Sequence, residues 1–464
     1  MLLRIISISL CIAHVIGWNL TIEPPRLSAF RAKQERYILI TLQSSQSSKE
    51  NISLTCSNEA ICTITPNESF LVFSQNNSFT QTLNVSVEGK FIGITKLNLK
   101  IGNQTFHNYE IRIQRSDWEH QKAKIFITML VIFIPTVTFM MGTQLKLKNI
   151  KEIWKRPFSP CISLFCQFGI MPLIAYCLAK YILEEEGRAI QLALFAAGTC
   201  PGGGKSSFWT IIFGGNLDLS VSLTFAQNFF ALIAMPIWIG TLGKEFTTES
   251  LRIPFGDIVE ALVILLIPTV LGMIFIHYKA NLYSDIQKLV KIIVWIGTFF
   301  FFLTSIYANF YIVFLLNWRI VLAGCLLPWS GYLMAFIVAT ILGMEFKDKI
   351  TISIETGIQH VSIAMVILVL TFPEPEVDLA MVILFVTVLM TDKPLLFFYF
   401  LLRVYRRFNP LKEEKKENGE INNGSTDITP KDSFTDISLI DDSKKTVQQT
   451  DESLGNQKNE VKGK

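Results

Sequence analysis

The chain has 464 residues, 12% of them aromatic, and a formal net charge of +4. Its mean hydropathy is +0.40, and several apolar runs approach the roughly 20 residues needed to cross a bilayer. These values exclude a water-soluble enzyme built on one buried core, give no reason to expect a nucleic-acid partner, and indicate a polytopic protein of the lipid bilayer.

Met1 to Gly17 carries Arg4, then an apolar run, then small residues before Trp18. The pattern predicts a signal peptide over 1–17, with an uncleaved signal anchor as the alternative. Residues 18–120 change character. Alternating runs such as Tyr37 to Leu42, Phe91 to Leu99 and Tyr109 to Ile113 are separated by Asn, Ser and Gly clusters. Such alternation predicts antiparallel strands in a small β-sandwich. Six sequons, at Asn19, Asn51, Asn67, Asn76, Asn84 and Asn103, fall in this segment. Clustered behind a signal peptide, they predict a glycosylated extracellular or lumenal domain. Cys56 and Cys62 are its two cysteines. A short disulfide loop is expected there, with two free thiols as the alternative.

A transmembrane domain is expected over 121–407, all-α, with about nine spans. They are placed at 124–144, 159–182, 189–213, 218–242, 256–277, 292–316, 320–343, 350–371 and 379–402. Lys146, Lys148, Lys151, Lys155 and Arg156 follow the first span and mark a cytoplasmic loop. Arg403, Arg406 and Arg407 end the last span on the same side. An external N-terminus and an internal C-terminus need an odd number of spans, which nine satisfies. Lys244 and Arg252 stand against this alternation, with Glu245 and Glu249 beside them. Residues 408–464 are polar, almost without aromatics, and read as a disordered cytoplasmic tail. Asn423 therefore carries a sequon that glycosylation should never reach.

Two spans are interrupted. The first contains Ala196-Ala-Gly-Thr-Cys-Pro-Gly-Gly-Gly-Lys-Ser-Ser207. Proline lacks an N–H and glycine favours non-helical backbone, so a helix cannot run smoothly through Pro201 to Gly204. A loop between two short helices would explain the pattern. The alternative is a discontinuous helix whose freed backbone groups line a polar site. The end of the motif superficially resembles a phosphate-binding loop, but the strand–loop–helix context is missing and the first glycine is misplaced. The second interruption is Ile354-Glu-Thr-Gly-Ile-Gln-His360. Glu355 is a carboxylate inside a span, and Gln359 lies one helical turn on. A charge at that depth costs about 2.5–3.5 kcal/mol on insertion scales, and no Lys or Arg in the span pairs it. Its partner should be a cation or a proton. Asp392-Lys393-Pro394 interrupts the last span and predicts a kink. Cys161, Cys166, Cys177, Cys200 and Cys325 read as small apolar packers.

The breaks fall in spans three and eight. If spans five to nine form one five-helix repeat, and one to four a repeat short of its first helix, both breaks occupy the fourth place. Interrupted helices at matching positions point to a midplane site in an inverted-repeat carrier.

The chain resembles the sodium/bile acid symporter family over roughly residues 124–405. The resemblance rests on Thr199 to Ser207, Gln167-Phe-Gly-Ile-Met-Pro172, Gly215-Asn-Leu-Asp-Leu-Ser220 and Glu355 to His360. It implies a core and a panel domain, with the two broken helices crossing. It implies one sodium held by Ser206, Ser207, Ser220, Thr224 and Glu355. A second would be held by Gln167, Glu355, Gln359 and main-chain carbonyls near Thr356 and Ile358. No organic cofactor or catalytic residue is expected. The family often has Asn where Ser207 and His360 stand, and Lys205 is unexpected. Lys205 and His360 are assigned to the substrate crevice, with Lys205 as a built-in cation on Glu355 the competing reading. The expected function is sodium-coupled symport of an amphipathic organic anion, of bile acid or sulfated-steroid type. A sodium-independent or proton-coupled carrier, and a surface receptor with a silent membrane core, are the alternatives.

Overall fold

A computed structural model describes residues 13–408, apart from 16–17, 26, 45–50, 67, 71–78, 102–103, 146–151, 156, 248–254, 280–295, 298 and 301–302. Of the expected signal segment, Ala13–Val15 (β1) pairs with Trp18–Leu20, and the remainder lies outside the described residues. Asn67, Asn76, Asn103 and the expected tail lie outside them too.

The N-terminal strands form two five-stranded sheets. The first has the order β1, β2 (Trp18–Glu23), β4 (Glu35–Ser44), β8 (Phe79–Gly89), β6 (Cys62–Thr65). The second runs β3 (Phe30–Arg31), β10 (Gln104–Gln114), β9 (Gly93–Ile101), β5 (Asn51–Cys56), β7 (Glu68–Phe70). Side chains alternate across a strand with period two. Hence Ile38, Ile40 and Leu42 of β4 face the same core as Leu97, Leu99 and Ile101 of β9. Thr41 pairs with Thr82, and Leu39 with Asn84, on the ladder between β4 and β8. Asn84 is exposed on that strand. The Cys56–Cys62 disulfide forms as expected and ties β5 of one sheet to β6 of the other.

Strand β10 ends at Gln114, and helix α1 (Asp117–Gly142) begins a few residues on. Ser116 and Glu119 form a reciprocal capping box at its start. That cap moves the helix start upstream of Lys124, where hydropathy alone had placed the membrane region. The chain then runs through α2 (Phe158–Ile182), α3 (Arg188–Thr199), α4 (Lys205–Ile212), α5 (Leu217–Thr241) and α6 (Phe255–Tyr278). After a 3-10 turn at Phe310–Leu315 come α7 (Trp318–Ile341), α8 (Phe346–Gly357), α9 (Val361–Thr371), α10 (Glu376–Thr391) and α11 (Lys393–Phe408).

Among the described residues six helices are long and apolar enough to cross a membrane. Both expected breaks are present: α3 stops at Thr199 and α4 starts at Lys205, while α8 stops at Gly357 and α9 starts at Val361. The expected span at 292–316 lies partly outside the described residues. The expected last span is divided at Asp392, where α10 ends and α11 begins. Pro394 follows at once and cannot donate a helical N–H. The expected cysteine packers separate: Cys166 and Cys200 are buried, whereas Cys161 and Cys177 are exposed.

Candidate functional site

The two breaks meet. Gly203 N donates to Ile358 O at 2.7 Å, and His360 N donates to Pro201 O at 2.8 Å. Gly202 and Gln359 thereby form an isolated antiparallel bridge between the two interrupted helices. Two of the backbone groups freed by Pro201 and the glycines, Gly203 N and Pro201 O, are satisfied by the other break, as an apolar surround requires. Gly202 is glycine because of close approach. A Cβ there would stand 2.5 Å from both Glu355 Oε1 and Gln227 Oε1.

Glu355, in the last turn of α8, is fully buried. Thr224 Oγ1 donates to its Oε1 at 2.5 Å, and Ser220 Oγ to its Oε2 at 3.1 Å. Ser220 and Thr224 lie one turn apart on α5, so one helix face supplies both hydroxyls. Ser207 Oγ is 3.2 Å from Ser220 Oγ. Ser206 stands beside the same carboxylate, although its buried Oγ completes no hydrogen bond of normal geometry. All five residues of the first expected ion site are thus brought together, from the first half-helix pair, from α5 and from the second pair.

The second expected set is anchored at the crossing. Gln167 sits in a π-turn, Cys166–Ile170, within α2. Such turns insert a residue and re-aim side chains, often at functional sites. Gln167 Nε2 donates to Cys200 O, the carbonyl that ends α3, at 2.6 Å. Its Oε1, Thr356 Oγ1 and both polar atoms of the Gln359 amide are buried without a protein partner. The Ile358 carbonyl accepts from Gly203. The Thr356 carbonyl faces α7, close to Gly331.

A buried polar atom left unpaired costs about 1–3 kcal/mol. Here several such atoms lie on the segments that meet at the crossing, and one buried carboxylate among them is faced by the hydroxyls of Ser206, Ser220 and Thr224. A set of carboxylate, hydroxyl, amide and carbonyl oxygens is what a hard cation takes as ligands. The residues present therefore fit a small hard cation, with Glu355 supplying the charge.

One contributor escaped the sequence reading. Gln227, fully buried on α5, accepts from Gly202 N at 2.6 Å and donates through Nε2 to Ser163 Oγ at 3.1 Å. It holds the first break against α2. The signal was available: Ser220, Thr224 and Gln227 recur at i, i+4 and i+7, a polar stripe on an apolar helix.

Lys205 does not enter the ion site. Its Nζ donates to Asp392 Oδ2 at 2.9 Å, and its side chain is half exposed. Trp209 Nε1 donates to the other oxygen of Asp392 at 3.2 Å. The reading of Lys205 as a built-in cation on Glu355 therefore gives way: a carboxylate at the α10–α11 junction takes the ammonium. His360 sits in the second break as the residue before α9, and its Nδ1 is buried without a hydrogen bond.

Residues 129–323 match the Sodium Bile acid symporter family. The hepatic sodium/bile acid cotransporter of Rattus norvegicus is 31% identical over 258 residues, 55% of this chain and 70% of the relative. The ileal sodium/bile acid cotransporter of Homo sapiens is 29% identical over 272 residues, 57% of this chain and 76% of the relative. A sodium-dependent organic anion transporter of Rattus norvegicus is 28% identical over 253 residues, 53% and 66% of the two chains.

Proposed function

The chain belongs to the sodium bile acid symporter family, a family of transporters and not of enzymes, and we propose that it is a sodium-coupled symporter of an amphipathic organic anion. One observation carries the reading: a fully buried carboxylate, Glu355, at the crossing of two interrupted helices, is faced by the hydroxyls of Ser206, Ser220 and Thr224 and paired with no basic side chain among the described residues. One sodium is assigned to Ser206, Ser207, Ser220, Thr224 and Glu355. A second is assigned to Gln167, Glu355, Gln359 and the carbonyls near Thr356 and Ile358.

The coupling follows from electrostatics. Without a cation, Glu355 is a buried negative charge and disfavours the tight crossing. A sodium ion neutralises it and draws α4, α5 and α8 onto one centre. The substrate then meets a site completed only in that state, so ion and substrate each raise the other's affinity. We assign the anion to the crevice beside the breaks, lined by His360 and by the Lys205–Asp392 pair. Nine spans, two inverted repeats, a plasma-membrane location with the N-terminus outside, and glycans on Asn19, Asn51, Asn67, Asn76, Asn84 and Asn103 complete the proposal.

Uptake of labelled taurocholate and of steroid sulfates, with sodium replaced by choline, tests it. Sodium-dependent uptake of either class supports the assignment. Equal uptake in choline selects the uncoupled or proton-coupled carrier. No uptake by protein delivered to the surface favours a receptor with a silent core.

A further inference from the structure

The site leaves the N-terminal domain without a task, yet the domain grips the membrane helices at a defined place. Three basic residues at the end of β10 and the start of α1 each meet one acidic residue of the α9–α10 helical hairpin, Glu374 in its turn and Glu376 and Asp378 in the first turn of α10. Arg112 pairs with Glu376, Arg115 Nη2 with Asp378 Oδ1 at 2.5 Å, and His120 Nδ1 with Glu374 Oε1 at 3.1 Å. Arg115, Glu376 and Asp378 are each only 4% exposed. Tyr311 closes the network. It accepts from Arg115 Nη2 at 2.7 Å, donates to the Asp378 carbonyl at 3.1 Å, and lies with its ring 4.4 Å under the guanidinium. The β8–β9 turn adds an apolar contact: Ile92 packs into the helical core, and Phe91 meets Phe314 with ring centroids 6.1 Å apart.

The gripped hairpin is mechanically close to the ion site. Helix α9 has 11 residues between the second break and the hairpin, about 16 Å at 1.5 Å per residue. A helix that short transmits a displacement of one end to the other. Its first residues follow His360, whose N–H is bound to the first break. Cys200, at the first break, is fully buried, with its thiol against the Ala364 main chain of α9.

We propose that the N-terminal domain is a working part of the carrier: Arg112, Arg115 and His120 act as positioning residues that hold the α9–α10 hairpin and so keep the second break seated on the first. The transport arm of the test rests on the sodium-site reading; the packing arm does not. Gluing the domain to the membrane region would need only the apolar contact at Phe91 and Ile92. Burying the Arg115–Asp378 pair, with the buried Glu376 carboxylate beside it on the same helix, is costly unless its position matters.

The test uses full-length protein in which the Cys56–Cys62 bridge and Cys200 are kept and every other cysteine is replaced. Labelling of Cys200 by a membrane-permeant maleimide reports the seating of α9. Arg115→Ala leaves Asp378 buried without its cation, so labelling should rise about ten-fold or more. Tyr311→Phe removes two hydrogen bonds without stranding a charge and should give a smaller rise. Arg115→Lys should restore part of the protection. In the same variants the half-saturating sodium concentration should rise while uptake at saturating sodium stays near wild type. Unchanged Cys200 labelling in surface-delivered Arg115→Ala and Tyr311→Phe overturns the proposal, and if Arg115→Ala is not delivered, Tyr311→Phe decides alone. A rise in labelling in a protein whose uptake ignores sodium leaves the clamp standing and removes the sodium reading instead.

Discussion

Replacing Glu355 by Gln is the sharpest perturbation of the ion site. The two side chains have the same length and nearly the same volume, so packing at the crossing survives. What changes is charge. Glu355 is 0% exposed, and it accepts from Thr224 at 2.5 Å and Ser220 at 3.1 Å. With an effective dielectric constant of about 20, unit charges about 4 Å apart attract by about 4 kcal/mol. Losing that attraction weakens cation binding by about a thousand-fold, at about 1.4 kcal/mol per factor of ten. The amide also turns an N–H₂ toward one hydroxyl that now donates to the carboxylate. That hydroxyl must rotate, which adds to the loss. Initial uptake should be measured against sodium concentration, with choline as replacement and rates normalised to protein at the cell surface. Glu355→Gln is expected to show no sodium-stimulated uptake across the accessible range. Sodium activation with an unshifted midpoint would refute the assignment of Glu355, and with it the shared charge of both proposed ion positions.

Gly202→Ala places a methyl group 2.5 Å from Glu355 Oε1 and Gln227 Oε1; overpacking of about 1–3 kcal/mol should push the breaks apart and abolish uptake, whereas Gly256 on α6, where an added Cβ meets nothing and the backbone is helical, supplies a control position for the added bulk alone. Lys205→Ala should leave the sodium requirement intact, because Lys205 is held by Asp392 and not by Glu355. Asp392→Asn should release the ammonium into the crevice and lower the KM for a sulfated substrate several-fold, and a raised KM would contradict that placement. Glycosidase treatment should shift the mass of the full-length protein, with Asn84 among the occupied sites because its strand position is exposed; a glycan on Asn423 would overturn the nine-span topology.

Some of this architecture was already written in local chemistry. The β-rich N-terminal part follows from period-two alternation, since a strand face is either buried or not. Its disulfide follows from two nearby cysteines in a sequon-rich segment. The two interruptions follow from Pro201 with its glycines and from Gly357, because these residues cannot continue a helix wherever the chain goes. Glu355 was marked by the cost of a charge within an apolar run.

Other features were matters of tertiary contact. Nothing local says that Gly203 bonds to Ile358 across more than 150 positions of chain; the crossing exists because each break leaves backbone groups unpaired and the two breaks satisfy some of them mutually. Nothing local distinguishes Gln227 from other amides until Gly202 N arrives at its oxygen. Lys205 looked like a cation beside an ion site, and its partner was settled by where the α10–α11 junction comes to lie. The grip of Arg112, Arg115 and His120 on the α9–α10 hairpin is the furthest case. Each residue taken alone reads as an ordinary charge near a membrane boundary. Their pairing depends on β10 running straight into α1, which delivers all three to one end of the helical bundle, where Glu376 and Asp378 are buried and Glu374 is half-buried against them.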